Sequence, residues 1–383
     1  MAHGIFRFVT SHVGTRDLRT RATRPNHLFA LVVSNALVSL VSPMSRGSPG
    51  GAPLGLPAAA AQAVQHSAVI ESLGRRLFFD KRLSIDGTVS CASCHVPEKA
   101  FTDGLPVAKG AGGLTGTRNT PSLWNVTFAM SQFWDGRRSS LEQQAADPLL
   151  NPREHGLSDE HALLTIIQQD AGYRQDFQRA FASDPKGINL TRLGTALASF
   201  ERTLLSGDSP FDRYLYGHER SALPPAAVRG MALFRGRAQC ATCHVIGERF
   251  ALFTDNLYHS LGIGLRGTET HLAKTATRLM DTSAGSVDRL ISSDTDIAAL
   301  GRFVVTRQPR DIGNFKTPSL RNVALTAPYM HDGSVATLAG AIDVEVYYRG
   351  LEANSPLILT PQEKRDLLAF LASLTSPSAR VAH

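Results

Sequence analysis

Two copies of one short motif carry the clearest chemistry in this 383-residue sequence. All four cysteines lie in these copies, at Cys91-Ala-Ser-Cys94-His95 and Cys240-Ala-Thr-Cys243-His244. Two thiols at this spacing can bond to the two vinyl groups of one haem, and the histidine that follows can ligate its iron. The motifs therefore predict two covalently bound haem c groups, with His95 and His244 as the proximal iron ligands. Zinc sites and local disulfides are the alternatives, but zinc leaves the repeated histidine unexplained.

A second pair of similar blocks follows the two motifs. Thr120-Pro-Ser-Leu-Trp-Asn-Val126 corresponds to Thr317-Pro-Ser-Leu-Arg-Asn-Val323, and Trp134-Asp-Gly-Arg137 corresponds to His331-Asp-Gly-Ser334. These repeats predict an internal duplication, with two like domains related by a pseudo-two-fold axis. The second half has more residues between its motif and its block, so we expect an insertion at about 254–301. Its polar composition favours a surface loop.

Helical signals dominate the segments that must position the motifs. Thr360-Pro-Gln-Glu363 forms a capping box with proline at the first helical position, and leucines follow at helical spacing. Residues 190–205 have the same periodicity, and no convincing run of alternating strand residues is present. The sequence therefore predicts a mainly α fold of two cytochrome c-like haem domains with long loops. We expect these domains at 64–215 and 216–376, followed by a short tail at 377–383.

The first 63 residues are typical of an export segment and linker. They combine an arginine-rich start, an apolar run at 28–42 and a small-residue cleavage site that ends at Ala63. We expect the periplasm as the compartment, with membrane anchoring by the apolar run as the alternative and no span in the mature part. The net charge of +7 is concentrated here, in six arginines against one aspartate, so the remainder predicts no nucleic-acid partner.

From about Leu73 to Leu374 the sequence resembles the bacterial di-haem cytochrome c peroxidase and MauG family. Besides the haem motifs, ordered blocks carry the resemblance: Leu77-Phe-Phe-Asp-Lys-Arg-Leu83, Arg118-Asn119-Thr-Pro121, Phe133-Trp134-Asp-Gly-Arg137, Asn151-Pro-Arg-Glu154 and Thr326-Ala-Pro-Tyr-Met-His-Asp-Gly333. The resemblance implies an N-terminal haem that binds peroxide and a C-terminal haem that transfers electrons. It also implies a calcium ion and a tryptophan between the two haems.

The resemblance assigns roles to three side chains near the first haem. Glu154 matches the family's distal acid, Gln144 the distal amide, and Trp134 the tryptophan between the haems. A carboxylate beside an open iron site can move a proton between the two oxygens of peroxide, which O–O cleavage requires. The repeat places His331 at the position equivalent to Trp134.

The calcium ligands are implied by the resemblance alone. They are the side-chain oxygen of Asn119 and the backbone carbonyls of Thr326 and Pro328. Such oxygen donors suit Ca²⁺, with waters completing the shell.

Two departures from the classical peroxidases of the family point to its MauG-like branch. The loop at 104–117 has no histidine, and Ala111 stands where those peroxidases have one that caps the first haem iron. We therefore expect the first haem to be open without reductive activation.

The second departure concerns the distal ligand of the second haem. The methionine of the classical peroxidases is missing, because no methionine follows Met330. Counting back from Gly350 places Tyr347 at the ligand position, whereas counting forward from Leu338 places Glu345 there. We favour Tyr347 because MauG-like members use a tyrosine, and we keep Tyr348 and Glu345 as alternatives.

Together these features predict an exported di-haem enzyme that uses H₂O₂ as oxidant. Electrons are expected from a small redox protein (a c-type cytochrome or a cupredoxin) or, as in MauG, from aromatic residues of a protein substrate. The chain is expected to be a monomer or homodimer. The alternatives are a di-haem electron carrier without peroxide turnover and a structural zinc protein.

Overall fold

Helices form most of the regular structure, as the sequence predicts. The computed structural model describes residues 52–58, 67–182, 187–352 and 354–381, which all belong to one unit at 47–383. Apart from 52–58, the predicted export segment lies outside the described residues. Within the described ranges, no helix is both long enough and apolar enough to cross a bilayer.

Fifteen α-helices and two strands are present in the described residues. The helices are α1 Ala68–Phe79, α2 Cys91–Cys94, α3 Leu141–Leu150, α4 Glu160–Gln169, α5 Ala171–Ala180, α6 Leu190–Arg202, α7 Pro210–Leu215, α8 Pro225–Arg235, α9 Leu272–Met280, α10 Val287–Ser293, α11 Thr295–Ala299, α12 Phe303–Thr306, α13 Leu338–Glu352, α14 Pro361–Ala372 and α15 Pro377–Val381. The strands, β1 Tyr258–Ser260 and β2 Asn314–Lys316, pair in antiparallel fashion with His259 opposite Phe315.

The first half is built on the crossing of α1 and α6. Ser67 caps α1 by accepting a hydrogen bond from a backbone amide of its first turn. At Gly74 the two helices are so close that a Cβ would lie 1.8 Å from the carbonyl oxygen of Ala196, so only glycine fits. Phe78 and Phe200 pack beside this crossing with ring centroids 5.0 Å apart.

The second half contains the same kind of crossing between α8 and α14. A Cβ at Gly230 would lie 1.9 Å from the carbonyl oxygen of Asp366, and the rings of Phe234 and Phe370 are 5.0 Å apart. Thr360 caps α14 with the predicted capping box. In each half, the haem motif follows the first helix of the crossing pair in the chain. This arrangement agrees with the sequence repeats, although a duplication of the chain remains a prediction.

The boundary between the two cores lies earlier than the predicted domain boundary after residue 215. The first core ends at Leu204, whereas Phe211 on α7 packs against Phe253 and Phe370 of the second core. Helix α7 therefore packs with the second half.

The predicted insertion at 254–301 is helical, so the expectation of a surface loop is wrong. It contains β1, α9, α10 and α11, and it shares a small apolar core that includes Leu279, Ile291 and Phe303. It packs on the first half, where Thr117 donates to the carbonyl of Ile291. Apolar side chains spaced widely along the sequence build this core, which explains why no single segment indicated it.

Residues 52–58 pack onto the second half, although the sequence places them in the linker. The amide of Leu54 donates to Asp208 over 2.9 Å, and Leu56 is only 6% exposed. The carbonyl of Gly55 accepts from Arg321, which also forms a fully buried ion pair with Asp212. This part of the linker is an integral part of the folded unit.

Candidate active site

One cavity of about 450 Å³ connects the two motifs and is lined by side chains from both halves. The motif residues in its wall are Cys94, His95, Cys240, Cys243 and His244. None of the four cysteines forms a disulfide bond. The cavity therefore brings both predicted attachment sites into one space.

Local helical structure positions the thiols of the first motif. Ser90 and Ser93 form a capping box at the start of α2, which places Cys91 and Cys94 one turn apart. The amide of His95 donates to the carbonyl of Cys91 over 2.8 Å and ends the helix. The second motif has the same order of residues on a 3₁₀ turn, Cys240–Thr242.

Both histidines are oriented as iron ligands would be. Nδ1 of His95 donates to the carbonyl of Phe101 over 3.0 Å, and Nδ1 of His244 donates to the carbonyl of Phe253 over 2.9 Å. This leaves the lone pair of Nε2 on each ring free to bind a metal. Burial lowers the pKa of both imidazoles, so both are in the neutral form that binds iron.

Orphaned donors in the wall fit the propionate groups of haem. Trp124 and Arg118 both line the cavity. Nε1 of Trp124 and both Nε and Nη1 of Arg118 are buried without a hydrogen-bond partner among the described residues. Unpaired buried donors are costly, and carboxylates of a bound group would satisfy them. The chain therefore offers thiols, imidazoles and carboxylate partners that suit haem.

The three residues predicted to act near the first haem all border the same cavity. Glu154, Gln144 and Trp134 all line the cavity. Nδ2 of Asn151 donates to Oε1 of Glu154 over 2.7 Å, which holds the carboxyl group in place. Burial raises the pKa of Glu154 to about 7, while the charge of Arg137 opposes this shift. The site therefore holds a carboxyl group that exchanges protons near neutrality.

The histidine-free loop at 104–117 packs directly behind this acid. Ala111 is buried, and its amide donates to the backbone carbonyl of Glu154 over 2.8 Å. The methyl group of Ala111 offers no iron ligand.

Helix α10 of the insertion contributes lining residues and a charged side chain to the same site. Its Ile291 and Ser292 line the cavity. Its Asp288 forms ion pairs with Arg137 at 2.9 Å and with Arg138 at 2.6 Å. The insertion thus contributes to the surroundings of Glu154.

A chain of hydrogen bonds and stacked rings links the two halves across the cavity. Nε1 of Trp134 donates to the carbonyl of Asn119 over 2.9 Å, and the amide of Asn119 donates to the carbonyl of His331 over 2.8 Å. The His331 ring stacks on Phe315 with centroids 3.6 Å apart. Burial and the charge of Arg118 lower the pKa of His331 to about 2, so its ring is neutral.

The three residues assigned to calcium also border this cavity. Asn119, Thr326 and Pro328 line it, and Nδ2 of Asn119 donates to the carbonyl of Leu105 over 2.9 Å. That bond orients the amide and leaves its oxygen as the group a cation would use.

The structure does not bring Tyr347 to the cavity, in contrast to the prediction. Its side chain is 53% exposed and packs on Tyr348 with ring centroids 5.1 Å apart. Of the three candidates for the distal ligand of the second haem, only Glu345 lines the cavity. Burial lowers the pKa of His244, and the negative charge of Glu345 opposes that shift.

The sequence analysis missed two residues with a clear place in the site. Asn151 belongs to a block that was recognised, but its bond to Glu154 depends on the turn between them. Asp288 lies in the insertion, so only the folded chain shows its contact with Arg137. Of these two, only Asn151 gave a signal in the sequence, as part of its block.

Comparisons with known proteins agree with this geometry. The family model described as di-haem cytochrome c peroxidase matches residues 69–220. A methylamine utilization protein MauG of Methylorubrum extorquens is 36% identical over 317 residues, which is 81% of this chain and 79% of that protein. The cytochrome c peroxidase Ccp of Escherichia coli K12 is 36% identical over 307 residues, 79% of this chain but only 57% of that longer protein.

A solved structure has the same fold. It is a crystal structure of a MauG-like protein associated with microbial copper homeostasis, with a TM-score of 0.67 and 33% sequence identity. The match covers 88% of this chain and 97% of that one. The likeness therefore extends over both halves.

Proposed function

This chain belongs to the di-haem cytochrome c peroxidase and MauG family, and from that premise we propose an exported enzyme that reacts with H₂O₂ at an open N-terminal haem. Membership makes it a di-haem oxidoreductase that acts on peroxide. The more specific roles below follow from where its own residues lie.

The chain holds its cofactors through the two motifs. Cys91 and Cys94 would attach one haem c and Cys240 and Cys243 the other, with His95 and His244 as proximal ligands. When bound, the haems supply the iron that cleaves the O–O bond and the redox capacity to hold the oxidising equivalents.

Glu154 is the proton carrier in this proposal. Its carboxylate takes the proton of bound peroxide and returns it to the oxygen that leaves as water, so the group ends in the form in which it began. Asn151 fixes Oε1 through its hydrogen bond, and the amide of Gln144 orients the peroxide. The buried position of Glu154 keeps the carboxyl out of water, where its pKa would be too low for this exchange.

Trp134 relays electrons between the halves, because its indole bridges to Asn119 and from there to His331. A calcium ion held by Asn119, Thr326 and Pro328 would stiffen this junction.

The redox partner is a small redox protein or, as in MauG, aromatic residues of a protein substrate. We propose the periplasm as the compartment, because the first 63 residues combine the arginine-rich start, apolar run and small-residue site of an export segment.

The single observation that carries the proposal is the buried Glu154 in a cavity wall shared with His95. The test is the spin state of the ferric, haem-loaded protein before and after one equivalent of H₂O₂. We expect a high-spin signal from the open first haem that is lost on peroxide addition. Two low-spin, six-coordinate haems with an unchanged spectrum would instead identify an electron carrier.

A further inference from the structure

We propose that the carboxylate of Glu345 is the distal axial ligand of the second haem. The inference rests on the proposed attachment of that haem at Cys240 and Cys243. It gives Glu345 the ligand role that the family resemblance assigns to Tyr347. It does not depend on peroxide chemistry at the first haem.

The first support is the face that α13 presents to the cavity. The helix lines it with Leu338, Ala341, Ile342, Glu345, Val346 and Arg349. These positions recur at spacings of three and four, so they share one side of the helix. Of these six side chains, only the carboxylate is an iron ligand, since four are apolar and the guanidinium has no free electron pair.

The second support is that Glu345 and Tyr347 cannot both face the iron. They are two residues apart, which is about 200° of rotation around an α-helix of 3.6 residues per turn. Tyr347 accordingly lies on the outer side of α13, with more than half of its side chain exposed.

Contacts with the insertion hold both tyrosines away from the cavity wall. Tyr348 is one turn from Glu345, but it lies against Gly262, where even a Cβ would be 3.0 Å from the ring. The guanidinium of Arg266 is 5.9 Å from the ring centroid of Tyr347 and equally far from that of Tyr348. Rotating α13 to bring Tyr347 to the cavity would break its contact with Arg266 and withdraw Glu345.

Arg349 ties the carboxylate to the second motif. Its Nε lies 4.0 Å from Oε2 of Glu345, one turn away on the same helix face. Its two terminal nitrogens donate to Oγ1 of Thr242 over 2.9 Å and to Sγ of Cys243 over 3.4 Å. The guanidinium therefore spans from the attachment thiol to Glu345.

His259 is the competing ligand. It also lines the cavity, and its ring, Asp255 and the Cys243 thiol lie within 4.8 Å of one another. However, Nε2 of His259 is bonded to Asp255 over 2.7 Å, and its side chain is 42% exposed. A hard anionic oxygen from Glu345 would favour the ferric state of the second haem, in contrast to the thioether of a methionine.

The test compares Glu345→Gln and Glu345→Met with two controls, Tyr347→Phe and His259→Gln, in the full haem-loaded chain. Low-temperature electron paramagnetic resonance of the ferric state reports the ligand set, and a redox titration reports the potential of the second haem. We expect Glu345→Gln to change the wild-type electron paramagnetic resonance signal of that haem and Glu345→Met to raise its potential. Both controls should keep the wild-type signal and potential.

The proposal is overturned if Glu345→Gln keeps the wild-type signal of the second haem, or if Tyr347→Phe or His259→Gln changes it. Haem content and thermal unfolding report whether each variant folds. Should Glu345→Gln not load haem, Glu345→His serves instead, since a second imidazole on the iron should produce a low-spin signal that differs from that of the wild type. The reaction of the first haem with peroxide is followed separately in the wild type, so failure there would reject the proposed function and leave this test standing.

Discussion

In the proposed function, Glu154 can carry a proton because burial balances its carboxyl group between two protonation states. A solvated glutamate would be almost wholly ionised at neutral pH and would release a proton too readily to carry one. In this cavity the pKa of Glu154 is raised to about 7. A group near the working pH both accepts and donates a proton at little cost, which peroxide cleavage needs in one turnover.

The rate of peroxide cleavage should therefore rise with pH through a midpoint near 7, because the carboxylate is the form that accepts the proton. Replacing this acid in Glu154→Gln should slow cleavage by about 10²- to 10⁴-fold and remove that midpoint. Stopped-flow absorbance from pH 5 to 9, about two units to either side, measures both effects. Glu269→Gln, at an exposed glutamate, is the control. Wild-type kinetics in Glu154→Gln would exclude this residue from the reaction.

Asn151 should set where that midpoint lies. Its side chain donates to Oε1 of Glu154, and a donated hydrogen bond stabilises the ionised form. Asn151→Ala should raise the pKa of Glu154, so the pH midpoint of peroxide cleavage should move upward while the rate at high pH stays close to that of the wild type. A midpoint that stays in place, or moves downward, would contradict the role given to this amide.

The sequence blocks predicted the residues that line the cavity more accurately near the first haem motif than near the second. The reason is that the two sets of residues differ in how clearly their spacing fixes their position. Glu154 and Trp134 belong to blocks whose internal spacing is unambiguous, and both reach the cavity. Tyr347 and Glu345 lie two residues apart on one helix, and counting from either end gave a different answer. Only the start of α13 at Leu338 and its packing decide which residue faces inward.

At the scale of elements, α10 places the negative charge of Asp288, which is distant in the sequence, where it acts on Glu154. The carboxylate of Asp288 pairs with Arg137 and Arg138. It also adds to the negative charge that raises the pKa of Glu154. This helix belongs to the insertion, so the insertion tunes the site as well as enclosing it.

Asp288→Asn should shift the pH midpoint of cleavage downward, opposite to Asn151→Ala. Removing the carboxylate takes away a charge that raises the pKa of Glu154 and leaves Arg137 freer to lower it. The same stopped-flow pH profile measures the shift. Asp281→Asn, at an exposed position of the same insertion, should keep the wild-type midpoint. An upward shift in Asp288→Asn would show that the charge of Asp288 does not act as described.

The element at 52–58 should stabilise the second half. A chain that begins at residue 59 loses the buried Leu56 and the carbonyl of Gly55, which accepts from the buried Arg321. Leaving such a donor unpaired costs about 1–3 kcal/mol, and loss of the leucine adds to it. We expect a lower Tm than for a chain that begins at residue 52, measured by calorimetry with both haems loaded. Equal Tm values would mean that the segment does not contribute to stability.

The helical insertion and this docked segment also show what the sequence could not predict. In the insertion, Leu272, Thr275 and Leu279 have helical spacing. The polar and charged residues between them made this periodicity hard to recognise in the sequence. In the N-terminal segment, Leu56 stands among glycines and prolines that are typical of a linker. The neighbouring Gly55 accepts a hydrogen bond from Arg321, which is far away in the chain, so this contact had no local signal.

At the scale of the whole molecule, the two halves share one functional space. The helix crossings at Gly74 and Gly230 build each half separately, and the repeated motifs made this division predictable. The junction combines Trp134 from the first half with His331 and Phe315 from the second. Hydrogen bonds link Trp134, Asn119 and His331 across this junction, and they form the route for electrons in the proposed function.

Trp134→Phe should separate the two haems kinetically while leaving each in place. Phenylalanine fills much of the space but lacks the N–H group that bonds to Asn119, and its ring is far harder to oxidise. After one equivalent of H₂O₂, the signal of the first haem should change at the wild-type rate. The change at the second haem should be slower by at least about tenfold, which corresponds to about 1.4 kcal/mol in activation free energy. Rapid-freeze electron paramagnetic resonance resolves the two haems.

The second tryptophan of the chain provides the matched control. Trp124 also lines the cavity, but it packs edge-on against Phe101 in the first half and has no hydrogen bond to the junction. Trp124→Phe should therefore leave the transfer rate between the haems unchanged, although it alters a donor available to a haem propionate. If Trp124→Phe slows transfer as much as Trp134→Phe, the effect belongs to cavity packing in general. If neither variant slows it, electrons cross the junction without the Trp134 indole.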